Sequence, residues 1–327
     1  MAIRMKDIAR RLKLSQTTVS HVLTGKHEHY RISPATVERV RKTARDLGYR
    51  SSALARAFRE RKSYSVSLAV EDLTNPFWTG VAIGAEREAE AQGYVLVVSN
   101  TGGHPEREKR VVQMLQEHRF DGLIVSPVTV ADKALIDLQK EGRPFVQIDR
   151  SVKGADIPCV RTDHAAGSVL AVEHLLKRGH ERIAFVVGPL SVQTYQYRLD
   201  GFKRAAAKLG KKATVTVLQN PSTADARTAV RALLEGPNRP TAIYTGNIYM
   251  TFGALRAIRE AGLTIPKDLE LVGFDDIEEA DLLALPVTTV WQDVEAIGRE
   301  SFRALLKMMS GEKAPRETLI APKLRVR

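Results

Sequence analysis

Apolar residues recur three and four positions apart through the first fifty residues, and in short unbroken runs after residue 64. In "MKDIARRLKL", Ile8, Ala9 and Leu12 form one apolar stripe and predict a short helix. Ser15 is a good N-cap for a second helix. Val19, Val22 and Leu23 face inward there, and Gln16, Thr17, Ser20 and His21 fall on the opposite side. Ser33-Pro34 supplies a cap and a proline at the first helical position of a third helix. That helix turns Val37, Val40, Ala44 and Leu47 inward and stops at Gly48. Three short helices on one small core, with a tight turn between the first two, predict a helix-turn-helix unit. The stretch "RSSALARAFRERKS" reads as a further helix, with Leu54 and Phe58 four apart and arginines crowding them. Its apolar edge is too thin for a stable helix on its own.

After residue 64 the pattern becomes strand-helix alternation. The runs "YSVSLAV", "YVLVVSN", "DGLIVSP", "PFVQID", "RIAFVVG", "TVTVLQ", "TAIYTG", "LELVGFD" and "VTTV" read as buried strands. Amphipathic helices are expected at 77–91, 105–118, 164–178, 195–209, 222–235 and 249–261. Repeated βα units predict parallel sheets with helices on both faces. The strands are too many for one comfortable sheet, so the body is expected to form two α/β lobes.

A chain of 327 residues exceeds what one core usually serves. The single cysteine, Cys159, excludes an internal disulfide and suits a reducing compartment. The N-terminus carries charges every few residues, unlike a secretory signal. The uncharged stretches at 183–197 and 241–255 are too short and polar to span a bilayer, so a soluble cytoplasmic protein is expected. Charge then divides the chain. Residues 1–62 hold 16 Lys/Arg against 5 Asp/Glu, while the other 265 hold 34 against 33. A basic module on a neutral body implies a polyanionic partner for the module.

The exposed side of the second helix has the chemistry for major-groove reading. Gln16, Thr17, Ser20 and His21 donate and accept hydrogen bonds, and Gln suits adenine N6 and N7. Lys6, Arg10, Tyr49 and Arg50 are candidates for phosphate contacts, which position rather than specify. The alternative is that Thr17, Thr18 and Ser20 are merely solvated; the local charge argues against it.

"MKDIARRLKLSQTTVSHVL…ISPATVERVRKTARDLGY" followed by "SALARAFR" resembles the headpiece and hinge of the lactose-repressor (LacI) family of bacterial transcription regulators, with a headpiece similar to the purine-repressor branch. The resemblance runs through the whole chain. It implies a headpiece at 1–50, a hinge helix at 51–63 and an effector-binding and dimerisation core at 64–327. That core would be two-lobed, like periplasmic binding proteins, with three crossovers. The N-lobe would span about 64–162 and 293–310, and the C-lobe about 163–290 and 318–327. The resemblance also implies that paired hinges enter the minor groove, through Leu54, Ala55, Arg56 and the wedge position Phe58. The family usually has leucine at that wedge. The loop "TGKHEHYRIS" looks about three residues longer than usual, with His27, His29 and Arg31 near phosphate. Its H-x-H lacks further ligands nearby, and neither metal nor cofactor is expected.

Ligands of open α/β sheets bind outside the carboxyl ends of the strands. The candidates there are Asp72, Asn75, Phe77 and Trp78, then Asp149 and Arg150, Asp163, Arg198, Asn247 and Asp275, with Trp291-Gln292 at a crossover. Aromatic faces, carboxylates and an arginine suit a polyol ring. Each has a plainer reading: Phe77 and Trp78 as core, Asp149 and Asp275 as helix caps, and Arg198 as a partner of Asp200 or Asp163. Ile248 stands where the family usually has an aspartate. The implied mechanism is a population shift in a two-fold dimer that reads a pseudo-palindromic operator. No C-terminal heptad segment suggests a tetramer. The rival reading is a solute-binding protein without a DNA role. No nucleotide-binding or nucleophile motif points to an enzyme.

Overall fold

The computed structural model describes residues 3–49, 62–118, 120–129 and 131–327. The chain divides into two compact units, Met1–Ser63 and Tyr64–Arg327. The first contains α1 (Met5–Leu12), α2 (Gln16–Leu23) and α3 (Pro34–Asp46). Ile8, Val19, Val22 and Val40 are almost fully buried and form the centre of its core. Ser15 Oγ accepts from Thr18 N at 3.0 Å, and Ser33 Oγ accepts from Thr36 N at 3.4 Å, so both expected caps are formed. The turn between α1 and α2 places Lys13 in the left-handed region, at φ +55°. The predicted hinge residues Leu54, Ala55, Arg56 and Phe58, and Arg50, lie outside the described residues.

The second unit contains β1 (Ser65–Val70), α4 (Pro76–Ala91), β2 (Val95–Asn100), α5 (Pro105–His118), β3 (Gly122–Val125), α6 (Lys133–Lys140), β4 (Phe145–Ile148) and β5 (Cys159–Thr162). It continues with α7 (His164–Lys177), β6 (Ile183–Val187), α8 (Gln193–Ala206), β7 (Ala213–Val217), α9 (Thr223–Glu235), β8 (Ala242–Thr245) and α10 (Ile248–Glu260). It ends with β9 (Glu270–Phe274), β10 (Thr288–Trp291), α11 (Val294–Met309), β11 (Glu317–Ile320) and β12 (Lys323–Arg325).

The strands form two six-stranded sheets, ordered β11-β5-β4-β3-β1-β2 and β12-β10-β9-β8-β6-β7. Every pairing is parallel except β10 with β12. The chain passes between the sheets after β5, after β10 and after β11, which gives the expected crossovers. One boundary needs correction. Residues 318–320, expected in the C-lobe, belong to β11 and pair in register with β5 in the first sheet. That strand alternates exposed and half-buried positions on a sheet edge, so it lacks the apolar run that marks a buried strand.

Apolar side chains pack both faces of the first sheet, around Leu68, Trp78, Ile124 and Phe302 on one side and Leu123, Leu135 and Phe145 on the other. The second lobe is centred on a ring stack in which Phe185 lies 4.4 Å from Tyr244 and 5.0 Å from Phe202. In the first lobe α4 and α11 touch backbone to backbone. A Cβ on Gly84 would lie 2.1 Å from Glu295 O, and one on Gly298 would lie 2.0 Å from Val81 O. Any larger residue at either position would push the helices apart.

The two strand orders correspond position by position, so β4 and β9 occupy the same place in their lobes. Each is followed by an aspartate with a left-handed backbone, Asp149 at φ +65° and Asp275 at φ +75°. Aspartate is among the few non-glycine residues that enter this region readily. Among the described residues no helix is long and apolar enough to cross a membrane.

Candidate functional site

Two surfaces hold the candidate residues. On the first unit, Gln16 and Thr17 are exposed and Ser20 and His21 are half-buried. All lie on α2, whose Val19 and Val22 are buried. Lys6 and Arg10 are exposed on α1. Tyr49 packs part of its ring against the small core.

In the second unit, a cleft of about 540 Å³ opens at the carboxyl ends of the strands. Asp72, Asn75, Phe77, Trp78, Asp149, Arg150, Arg198, Asn247 and Asp275 all line it. Asp163 does not: its Oδ1 caps α7 by accepting from Ala166 N at 2.9 Å. Several candidates combine the ligand-facing position with a structural task. Asn75 caps α4 through Phe77 N, at 3.0 Å. Asn247 caps α10 through Met250 N, and its amide donates to Tyr195 Oη at 2.9 Å. Trp78 is buried in the first lobe's core, and Phe77 meets it edge-on at 4.7 Å. The plainer reading of Arg198, a pairing with Asp200 or Asp163, is not met among the described residues: its bonds go to His164 and Gly246.

The centre of the cleft is a chain of buried polar groups. Arg198 Nε and Nη2 lie 3.4 and 3.3 Å from His164 Nδ1, and Nη1 donates to Gly246 O. Nδ1 faces donors only, so it accepts, and the imidazole proton resides on Nε2. Nε2 then donates to Asp149 Oδ1 at 3.1 Å. Burial, reinforced by the charge of Arg198, lowers His164 to about 4. The ring is therefore neutral at pH 7, and its contact with Asp149 is a hydrogen bond rather than an ion pair. Burial opposes ionisation of Asp149, but the His164 hydrogen bond and the charges of Arg150 and Arg198 outweigh it and hold its carboxyl below the usual range. Arg198 also lies over the Phe274 ring, 3.7 Å from its centroid. Among the described residues no carboxylate oxygen comes within 4 Å of its guanidinium, although the side chain is only 6% exposed.

Asp275 has a different environment. Its Oδ1 accepts from Gln292 Nε2 at 2.5 Å and its Oδ2 from Ile248 N at 3.2 Å. Burial pushes its carboxyl up, and Arg198 offsets only part of that. Among the described residues Gln292 Oε1 is buried without a hydrogen-bond partner. Opposite, Arg150 is paired with Glu71. Besides the His164–Asp149 bond, further contacts join the lobes across the cleft. Tyr249 Oη donates to Asp72 Oδ2 at 3.1 Å, and Ser151 N and Oγ donate to Gln193 Oε1 at 2.9 and 3.2 Å.

His164, Glu71, Tyr195 and Tyr249 were not among the sequence candidates. His164 follows β5, whose "CVRT" carries an arginine mid-strand and does not read as a buried run. Recognising that strand would have put His164 at a strand end. Ile248, at the position where an aspartate was expected, is buried against Ile277 and Ala280 and lends only its backbone N–H to the site.

Residues 63–326 match the family model described as periplasmic binding proteins and sugar binding domain of the LacI family. Residues 4–52 match the model of bacterial regulatory proteins of the lacI family. The chain is 32% identical to the HTH-type transcriptional repressor PurR of Vibrio atlanticus over 307 residues, which cover 93% of this chain and 91% of that protein. It is 31% identical to the ribose operon repressor of Escherichia coli over 305 residues, 92% of each. A crystal structure of the Lac repressor dimer bound to operator and the anti-inducer ONPF covers 100% of this chain and is itself covered to 98%, at 26% identity and a TM-score of 0.88. These relatives are repressors and not enzymes. A basic helix-turn-helix unit ahead of a two-lobed cleft, with residues 4–52 and 63–326 matching the two models, places the chain in the LacI family of DNA-binding transcriptional repressors.

Proposed function

We propose that a neutral polyol of sugar size binds between the two lobes and sets the affinity of the headpieces for an operator. The observation that supports this reading is Arg198: a buried guanidinium in the cleft with, among the described residues, no carboxylate within 4 Å and part of its donor fork unspent. Adjacent hydroxyls on a sugar ring present paired acceptors to such a fork, and paired donors to Asp149 and Asp275. The charge balance favours a neutral ligand. Glu71, Asp72, Asp149 and Asp275 outnumber Arg150 and Arg198 around the cleft, so an acidic effector would be repelled. Phe77 and Tyr195 supply apolar faces for a ring. Similarity to the ribose operon repressor supports the same class.

The effector acts by differential affinity for two lobe arrangements. The Tyr249–Asp72 and Ser151–Gln193 contacts are the links that such a change remakes. In a two-fold dimer the lobe arrangement sets whether the hinges pair on DNA, with Leu54, Ala55, Arg56 and Phe58 at the minor groove. Gln16, Thr17, Ser20 and His21 read base edges, while Lys6, Arg10, Tyr49 and Arg50 hold phosphate. The protein works in the cytoplasm, where the operator is.

The test is a thermal-shift screen of the full chain against neutral sugars, sugar phosphates and nucleobases. A neutral sugar is expected to raise Tm, by about 2.7 kcal/mol of linkage at a hundredfold excess over Kd. Arg198→Ala should abolish the shift while the protein still binds a randomised duplex pool. A sugar response that survives Arg198→Ala, or a response to nucleobases alone, overturns the reading.

A further inference from the structure

The loop between α2 and α3 returns an aromatic ring onto the candidate base-reading face. Lys26 N donates to His21 O at 2.9 Å, Tyr30 N to Lys26 O at 3.2 Å and Ile32 N to His27 O at 2.9 Å. These bonds fold residues 24–32 into a compact turn that needs left-handed backbone at Gly25, φ +74°, and Arg31, φ +49°. The turn lays Tyr30 parallel to His21, with ring centroids 3.6 Å apart and planes 20° apart. His29 closes the arrangement edge-on, 4.8 Å from Tyr30. Tyr30 is 50% exposed and is not part of the headpiece core, so core packing does not account for its position.

The stack covers a face of the imidazole and leaves its polar edge unspent. Among the described residues no hydrogen bond is made by either ring nitrogen of His21. A side chain whose ring is clamped and whose donors and acceptors are free is pre-organised for a partner outside the chain. The residues that make the clamp come from the loop that looks about three residues longer than the family usually has. We propose that Tyr30 is a positioning residue for DNA recognition: it fixes the plane of His21 so that one imidazole edge meets one base-pair edge, and thereby sharpens sequence preference at that position. The inference rests on His21 reading a base.

The experiment uses the full chain and a randomised duplex pool, from which wild type, His21→Ala, Tyr30→Ala, Tyr30→Phe and the double alanine variant each select a motif. Tyr30→Ala is expected to broaden the preference at the positions that His21→Ala broadens, and to weaken binding to the wild-type consensus by about three- to tenfold. Tyr30→Phe keeps the ring and should select the wild-type motif. The double variant should be no weaker than His21→Ala alone, because the ring acts only through the imidazole. The slope of log affinity against log salt should not change, since a phenol neutralises no phosphate. A motif altered by His21→Ala but not by Tyr30→Ala overturns the positioning role and leaves base reading intact. A loss shared by Tyr30→Ala and Tyr30→Phe without change of motif assigns the hydroxyl to the DNA backbone and also overturns it. If His21→Ala selects the wild-type motif, His21 is not a reader and both assignments fail. Headpiece unfolding followed by circular dichroism separates these results from a loss of fold, and Tyr30→Leu, which keeps apolar bulk without a ring, must then behave as Tyr30→Ala.

Discussion

Asp149 and Asp275 end corresponding strands in the two lobes, with the same left-handed backbone, and both line one cleft. Their surroundings drive them apart. Asp149 faces a donating imidazole and the charges of Arg150 and Arg198, and its carboxyl is held below the ordinary range. Asp275 faces an amide, a backbone N–H and the Arg198 guanidinium, and burial pushes its carboxyl up. The shared position is inherited from the topology of the sheet. The acid-base character is set by burial and by the side chains each carboxyl meets: burial outweighs Arg198 at Asp275, whereas His164 and the two arginines outweigh burial at Asp149.

The largest effect should come from removing the charge of Asp149, the carboxyl held below its ordinary range. Asparagine tolerates the left-handed backbone, so Asp149→Asn tests charge with little strain. It is expected to cost about 2–4 kcal/mol in urea unfolding at pH 7, because Arg198 and Arg150 lose a buried counter-charge. Asp275→Asn should cost about 1 kcal/mol or less. Equal losses would break the comparison. Next comes acid sensitivity. His164 binds a proton near 6.5 when unfolded and only near 4 when folded. Its contribution is therefore complete above about pH 6.5 and is lost as pH falls towards 4. His164→Gln keeps an acceptor and a donor without titrating, and should flatten that limb by up to about 1.4 kcal/mol per pH unit.

A third test lies beneath the first lobe's sheet ends. Glu108 is fully buried, and its Oε2 accepts from Val128 N at 2.8 Å. Burial, with Asp132 beside it, raises its carboxyl to about 9. Its folded pKa lies above its unfolded value, so stability is lost as pH rises from about 4.5 to 9. Glu108→Gln should be more stable than wild type by about 1–3 kcal/mol at pH 9 and near-neutral at pH 5; a midpoint that does not rise at pH 9 would show that Glu108 is already ionised. The smallest effect is Tyr249→Phe. It removes the contact with Asp72 and should lower stability by about 0.5–1 kcal/mol. A larger loss would mean that the cross-lobe contacts, rather than the two aspartates, dominate the cleft.

Much of this arrangement is legible in the chain. The apolar runs marked nine of the strands; seven are buried as expected, because a strand covered on both faces carries little polar character, while β2 and β7 are half-exposed edge strands whose valines nevertheless gave the run. The strands they missed, β5, β11 and β12, sit towards one edge of each sheet, and each carries a charged residue: Arg161, Glu317, and Lys323 with Arg325. Helix α6 is only eight residues long and offers few turns in which to show a period. Strand-end logic brought nine of the ten effector candidates to one cleft. Asp163 failed because β5 was not recognised, so its cap role and the strand-end position of His164 were both hidden. What no reading of the chain supplies is the tautomer of His164, or that the two aspartates shift in opposite directions. Those depend on Arg198 and Gln292 approaching from elsewhere in the fold.

The placement of β11 and β12 has a consequence for synthesis. Each sheet receives one of its two edge strands from residues 317–325, and the first lobe also awaits α11, whose Gly298 seats against α4. The nascent first lobe therefore waits on the ribosome, with β5 unpaired on one side, while the whole second lobe is translated. A stop between β10 and β11 would leave both β5 and β10 as bare sheet edges, open to pairing with other unfinished copies.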